Sequence, residues 1–296
     1  MNATWIDSWR LNSRRRHEAL ERAIGSRPGM RALELPTAVL RIRVAGHGAQ
    51  TVVYVPDPPN TIEHCDRLLE RLSAVARVVC IELPGFGFSL PARNFRFTVR
   101  EQTATLRAAL EALGWAPYTL AFPCVSAYAA LLLASDHPAL VRRVVLMQAP
   151  AWDEELRWAR RVDRHRLIST PVLGQLVTAL LPRRVARAWY RAALPREAPA
   201  ETVRNFLDPA LDALGHGGSF CLASAFQATF GADRPALGRV TQPTTVVWGT
   251  ADRSHRRTAK ESIREYAPHA EYHEWPACGH FPELEEPDRF AALVSG

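Results

Sequence analysis

The strongest constraint on how this chain can fold is an alternation. Short β-rich runs ("AVLRIRV", "TVVYV", "RVVCIEL", "YTLAF", "RRVVLMQ", "TTVVWG", "EYHEW") are separated by segments such as "TIEHCDRLLERLSAV" and "TVREQTATLRAALEAL" that carry helical periodicity. A chain of this kind is expected to form a mostly parallel sheet covered by helices, with the two earliest of these strands as an antiparallel edge. The alternation stops between Ala151 and Leu237, where helical stretches follow one another without a strand. The expected organisation is an α/β core of residues 1–150 and 238–296, with an all-helical cap, 151–237, laid over the end of the sheet.

Composition narrows function by exclusion. With 296 residues, 47% of them hydrophobic, the chain can bury a substantial core. The formal charge of +7 invites a nucleic-acid reading, but Lys260 is the only lysine among 37 basic residues and no finger or RNP-like motif is present. No nucleic-acid partner is therefore expected. Cys65, Cys80, Cys124, Cys221 and Cys278 are scattered without a CxxC pair, so neither a disulfide framework nor a zinc site is expected. No apolar run is long enough for a membrane span or a signal peptide, and a soluble cytoplasmic protein is the expectation.

In open α/β sheets, ligands bind beyond the carboxyl ends of the strands. Cys124 follows "YTLAF", Asp252 lies in "WGTADRSH" after another strand, and His280 lies in "PACGHFPELEEP" after the last. A thiol at a strand-to-helix turn is expected to be exposed at a helix amino terminus, where the dipole and free N–H groups favour an anion. A histidine nearby would increase its thiolate fraction.

Four segments, "IELPGFGFS", "CVSAYAALLLASDHPALVRRVVLMQAP", "PTTVVWGTAD" and "CGHFPELEEPDRF", together resemble the α/β-hydrolase superfamily. The resemblance is to its capped branch, which includes epoxide hydrolases, haloalkane dehalogenases, esterases and carbon–carbon bond hydrolases. Nucleophile, acid and histidine follow in the order this fold uses. The resemblance implies Cys124 as nucleophile, His280 as base and then acid, and Asp252 as the group that holds the imidazole tautomer. It also exposes departures. Phe122 and Ser126 stand where the elbow glycines would be; Ser126 is read as filling a small-residue position, with the nucleophile role as its alternative, and Cys278 as filling another small-residue position. The loop "VPDPPNT" replaces the family's "HG" segment and puts Pro58, which has no N–H, near the expected oxyanion donor. The N–H of Val125 would then be one donor, with the second supplied by Asp57, Asn60 or another group, unless the reaction needs no full oxyanion hole. His255, in "DRSH", reads as a solvated loop residue.

A sulfur nucleophile makes the covalent intermediate a thioester. Thioesters, activated esters and enol lactones are then the easy acyl donors, with hydrolysis and transfer to a second nucleophile both open. The alternatives are a lyase, cyclase or decarboxylase on the same scaffold, or a non-catalytic binding protein. No cofactor or metal is expected. Arg157, Arg160, Arg161 and Arg164 fall at i, i+3, i+4 and i+7, which places them on one helix face. That face is either solvated or docks an acidic carrier protein or a CoA thioester.

Overall fold

The computed structural model describes residues 14–231 and 234–295. Nine strands form one sheet: β1 (Met30–Leu35), β2 (Ala38–Ala45), β3 (Thr51–Tyr54), β4 (Arg77–Ile81), β5 (Leu90–Pro91), β6 (Tyr118–Pro123), β7 (Val141–Met147), β8 (Thr244–Gly249) and β9 (Glu271–Trp275). Their order is β1-β2-β4-β3-β6-β7-β8-β9, with the short β5 paired to β2. From β4 across to β9 every pairing is parallel. β3, β6 and β8 are buried at every position. Helices cover both faces, which is why these strands read as continuous apolar runs and not as alternating ones.

The antiparallel edge differs from the expectation. It is made by β1 against β2, while "TVVYV" is an interior parallel strand between β4 and β6. The missed strand, "MRALEL", buries only its first residue, so it carries no apolar signature.

Local chemistry fixes the connections. The helix Val99–Leu113 starts at Thr98, whose Oγ1 accepts from the Glu101 N–H at 3.2 Å, and ends at Gly114 with φ 69°. Arg41, fully buried on β2, binds Glu82 at 2.5 Å and Glu63 at 2.6 Å. Glu82 in turn accepts from the N–H groups of Ile62 and Phe88, so one ion cluster ties the loop after β3 to the loop after β4. Truncating Arg41 would strand buried carboxylates, at a cost of about 3–5 kcal/mol.

Between β7 and β8 the described residues form five α-helices: Trp152–Val162, Leu173–Leu180, Pro182–Ala193, Ala200–Ala213 and Ser219–Gly231. Tyr190, Ala193 and Leu194 from this region pack with Phe206, Leu207 and Phe281, which attaches it to the loop after β9. Among the described residues no helix is long and apolar enough to cross a membrane.

Candidate active site

β6 runs fully buried to Pro123, and Cys124 then takes φ 47°, a left-handed conformation that a side chain adopts only at a cost. A 3-10 turn, Cys124–Ser126, leads into the helix Ala127–Asp136. The turn forms without glycines. Ser126 donates its hydroxyl to the Pro123 carbonyl at 2.5 Å, which commits that side chain to the turn.

The thiol is not exposed. Cys124 is 2% accessible, and burial first, then the neighbouring Asp57 and Glu155 carboxyls, push its pKa well above the ordinary thiol value, with His280 pulling the other way. The amino-terminal position on a helix is present, but burial and the two carboxyls outweigh it.

Asp252, just past β8, accepts from Gln148 Nε2 at 2.8 Å, from the Ser254 N–H at 2.8 Å and from the Ser254 hydroxyl at 2.7 Å. Its other bond is to His280 Nδ1, at 2.7 Å. Burial works against its charge, yet His280 and these donors hold its pKa at about 2. The His280 N–H donates to the Ala193 carbonyl at 2.8 Å, and the preceding Gly279 N–H binds the Glu285 carboxylate at 2.9 Å. Only glycine fits there, because a Cβ on residue 279 would lie 2.3 Å from the Ala193 oxygen. Burial disfavours a charged His280, but Asp252, Cys124 and Asp57 raise its pKa well above the ordinary imidazole value.

The loop after β3 supplies an acid. Asp57 Oδ2 lies 3.3 Å from His280 Nε2 without hydrogen-bond alignment, and neither atom has another partner among the described residues. Burial raises the Asp57 pKa, and His280 opposes that shift. The Asn60 N–H is committed to the Asp57 carbonyl at 2.8 Å, and Asn60 Oδ1 accepts from the Tyr190 hydroxyl at 2.9 Å. Asn60 therefore offers no backbone donor to an oxyanion, and the side chain of Asp57 presents negative charge instead. Val125 lies in the turn directly after Cys124.

Three further residues complete the site. His255 is not solvated: it is buried, stacked face to face on Trp158 (4.9 Å, 6°) and on His280 (5.3 Å, 22°). Burial lowers its pKa to about 3. Glu155, fully buried, places Oε1 3.9 Å from Cys124 Sγ, and burial raises its pKa to about 8. Trp189 meets the edge of the His280 ring at 5.0 Å. Glu155 could have been found from the sequence, because it shares a helix stripe with Trp152, Trp158 and Ala159. His255 has no comparable signal.

The donor atoms of Cys124, His255 and His280 all lie within 4.8 Å of one another. The near-parallel stack of the two imidazoles directs their in-plane lone pairs alongside each other, so they do not converge as metal ligands do. What the closeness provides is a thiol within reach of an imidazole.

Beside Cys124 is a cavity of about 460 Å³, in the usual range for small-molecule sites. Cys124, Asp57, Phe86, Phe97, Trp158 and Phe230 are among its walls, and among the described residues no Lys, Arg or His is. A depression of about 650 Å³ around Arg142, Arg143 and Thr244 lies at the opposite, amino ends of the strands, away from this chemistry. The four arginines do not assemble as the spacing suggests. The helix ends at Val162, which leaves Arg164 beyond it, Arg157 pairs with Glu154, and Arg161 binds Thr258 Oγ1 at 2.9 Å.

A mostly parallel sheet with an elbow after β6, an acid after β8 and a histidine after β9 defines an α/β-hydrolase architecture. A family model described as alpha/beta hydrolase fold matches residues 53–287, and the chain belongs to that family, as an enzyme of the α/β-hydrolase superfamily. It is 26% identical over 241 residues to a 2-hydroxymuconate semialdehyde hydrolase of Pseudomonas putida, covering 76% of this chain and 77% of that one. Among solved structures, an epoxide hydrolase from Acinetobacter nosocomialis superposes with a TM-score of 0.76 at 14% identity, covering 95% of this chain and 94% of the other. A loop variant of a haloalkane dehalogenase from Bradyrhizobium elkanii superposes at 0.67 with 16% identity, covering 90% and 95%. At those identities the likeness is one of fold.

Proposed function

We propose that this enzyme transfers or hydrolyses acyl groups through a covalent intermediate on Cys124, with His280 and Asp252 completing a triad. The single observation that carries the reading is the buried 2.7 Å bond from Asp252 to His280 Nδ1, behind a cysteine held at φ 47° on the cavity floor. The neutral form of His280 takes the thiol proton as Sγ bonds to the acyl carbon. Collapse of the tetrahedral adduct breaks the bond to the leaving group, which takes the proton from His280. Water or an acceptor alcohol or amine then gives its proton to His280 and bonds to the acyl carbon. The C–S bond breaks, and the proton returns to sulfur.

Thioesters, activated esters and enol lactones are the donors that suit a sulfur nucleophile, and the mostly apolar cavity favours an uncharged acyl group. Turnover of such a panel should be abolished by Cys124→Ala; persistence of turnover in that variant overturns the triad.

The position of Asp57 favours one other reading. A carboxylate beside His280 Nε2 repels an oxyanion and pairs with an imidazolium, which suits proton transfer without an acyl-enzyme, as in a lyase, cyclase or decarboxylase. That reaction would need His280 but leave no adduct on Cys124.

A further inference from the structure

Seven large apolar side chains of one cap segment are exposed: Val162, Leu167, Val172, Leu173, Leu176, Leu180 and Leu181, with Leu180 at 75%. Among the described residues only one other, Val75, is exposed in this way. Leu173, Leu176 and Leu180 fall at i, i+3 and i+7 on the helix Leu173–Leu180 and form one outward stripe. An unpartnered apolar surface of this kind marks a contact site.

The charge around the stripe identifies the contact. Residues 157–196 contain ten arginines and a single acid, Asp163. Asp163 is buried, and its carboxylate accepts from the N–H groups of Ile168 and Ser169. The exposed Arg164 and Arg166 precede the leucines, and the exposed Arg183, Arg184 and Arg187 follow them. Among the described residues none of these five makes an ion pair with an acidic side chain. A second copy of the chain docked face to face would set this positive field against itself. Leucines that enter an acyl layer, flanked by arginines at the headgroups, match an anionic lipid surface.

The stripe also reaches the cavity. Val162 and Leu167 are 43% and 46% exposed and line the cavity as well, so its rim is part of the same surface. We propose that the cap face from Val162 to Arg187 docks on an anionic membrane surface, and that lipophilic substrate enters the cavity from that surface. Docking uses no catalytic residue and is independent of the chemistry at Cys124.

The test is flotation of the full chain with vesicles of phosphatidylcholine, alone or with about 30% phosphatidylglycerol. Binding to the anionic vesicles is expected, weakened by salt. Arg183→Ala/Arg184→Ala should weaken it about thirtyfold, on the scale two arginines contribute near such a surface. Leu176→Asp/Leu180→Asp should abolish it, while turnover of a water-soluble ester stays unchanged, and Cys124→Ala should bind like the native chain. Three results overturn the proposal: no binding to anionic vesicles by the folded protein, binding that neither double variant alters, or a dimer or acidic-carrier complex that the leucine variant dissolves while vesicle binding persists.

Discussion

Asp57 Oδ2 lies 3.3 Å from His280 Nε2, while the carboxylate of Asp252 holds Nδ1 of the same ring at 2.7 Å. Burial disfavours the charged form of this imidazole, but the two carboxyls favour it and raise its pKa, while burial and the carboxyls of Asp57 and Glu155 raise that of the Cys124 thiol. In the proposed reaction, nucleophilic chemistry at Cys124 depends on the fraction of His280 that has lost its proton.

Activity should therefore rise with pH as His280 deprotonates. Asp57→Asn removes one of the groups that raise the His280 pKa, so the acidic limb of the kcat/KM profile should move to lower pH. The limb position is the readout, whatever happens to the plateau. An unmoved limb means that Asp57 does not control the proton on His280.

Glu155 links pH to stability. Its pKa is raised to about 8 from 4.5, so between those values the unfolded state loses a proton that the folded state keeps, and stability falls as pH rises. Glu155→Gln removes that loss. Denaturation should find the variant more stable than the native chain by roughly a few kcal/mol near pH 8, with the advantage vanishing toward pH 4. Parallel stability curves for the two proteins would show that Glu155 does not titrate as its burial requires.

Gln148, with φ 49° just past β7, bonds Asp252 at 2.8 Å and accepts from the Gly249 N–H at 2.7 Å. Gln148→Ala removes the side-chain acceptor of the buried Gly249 N–H and one of the donors to Asp252, costing about 1–3 kcal/mol of stability. Looser positioning of Asp252 should also lower kcat/KM by roughly tenfold, equivalent to about 1.4 kcal/mol of transition-state stabilisation. A stability loss without a rate loss would make Gln148 a purely structural residue.

His255 fills the space between Trp158 and His280 as a flat, neutral ring. His255→Phe should retain packing and most activity, whereas His255→Ala opens a cavity and destabilises by about 2–4 kcal/mol. Thermal melts and steady-state rates distinguish the two. Equal loss of activity in both variants would show that an imidazole nitrogen takes part in the reaction.

The sheet was legible because β3, β6 and β8 are buried on both faces and spell that burial as unbroken runs of Val, Thr, Leu and aromatic residues. β1 was not, because an edge strand with one buried residue in six leaves no pattern. At the site, the order Cys124, Asp252, His280 could be read along the chain, and the structure brings these residues together. The roles of Asp57, Glu155 and His255 could not be read in the same way. Each depends on a side chain meeting another more than 20 residues away across the carboxyl ends of the strands. The turn spacing of "VPDPPNT" located a missing N–H donor, but only the folded loop turns the Asp57 carboxylate onto the histidine. The exposed thiol expected at the elbow is buried, and residues of the helices between β7 and β8, Trp158 and Trp189 among them, wall the same cavity as Cys124.

The most direct test of the central claim is intact-protein mass after brief exposure to a panel of acyl thioesters and activated esters, followed by peptide mapping. The account predicts an increment equal to one acyl group, located on Cys124 and absent from Cys124→Ala. Turnover of those substrates with no adduct, or with an adduct on any other residue, would contradict it.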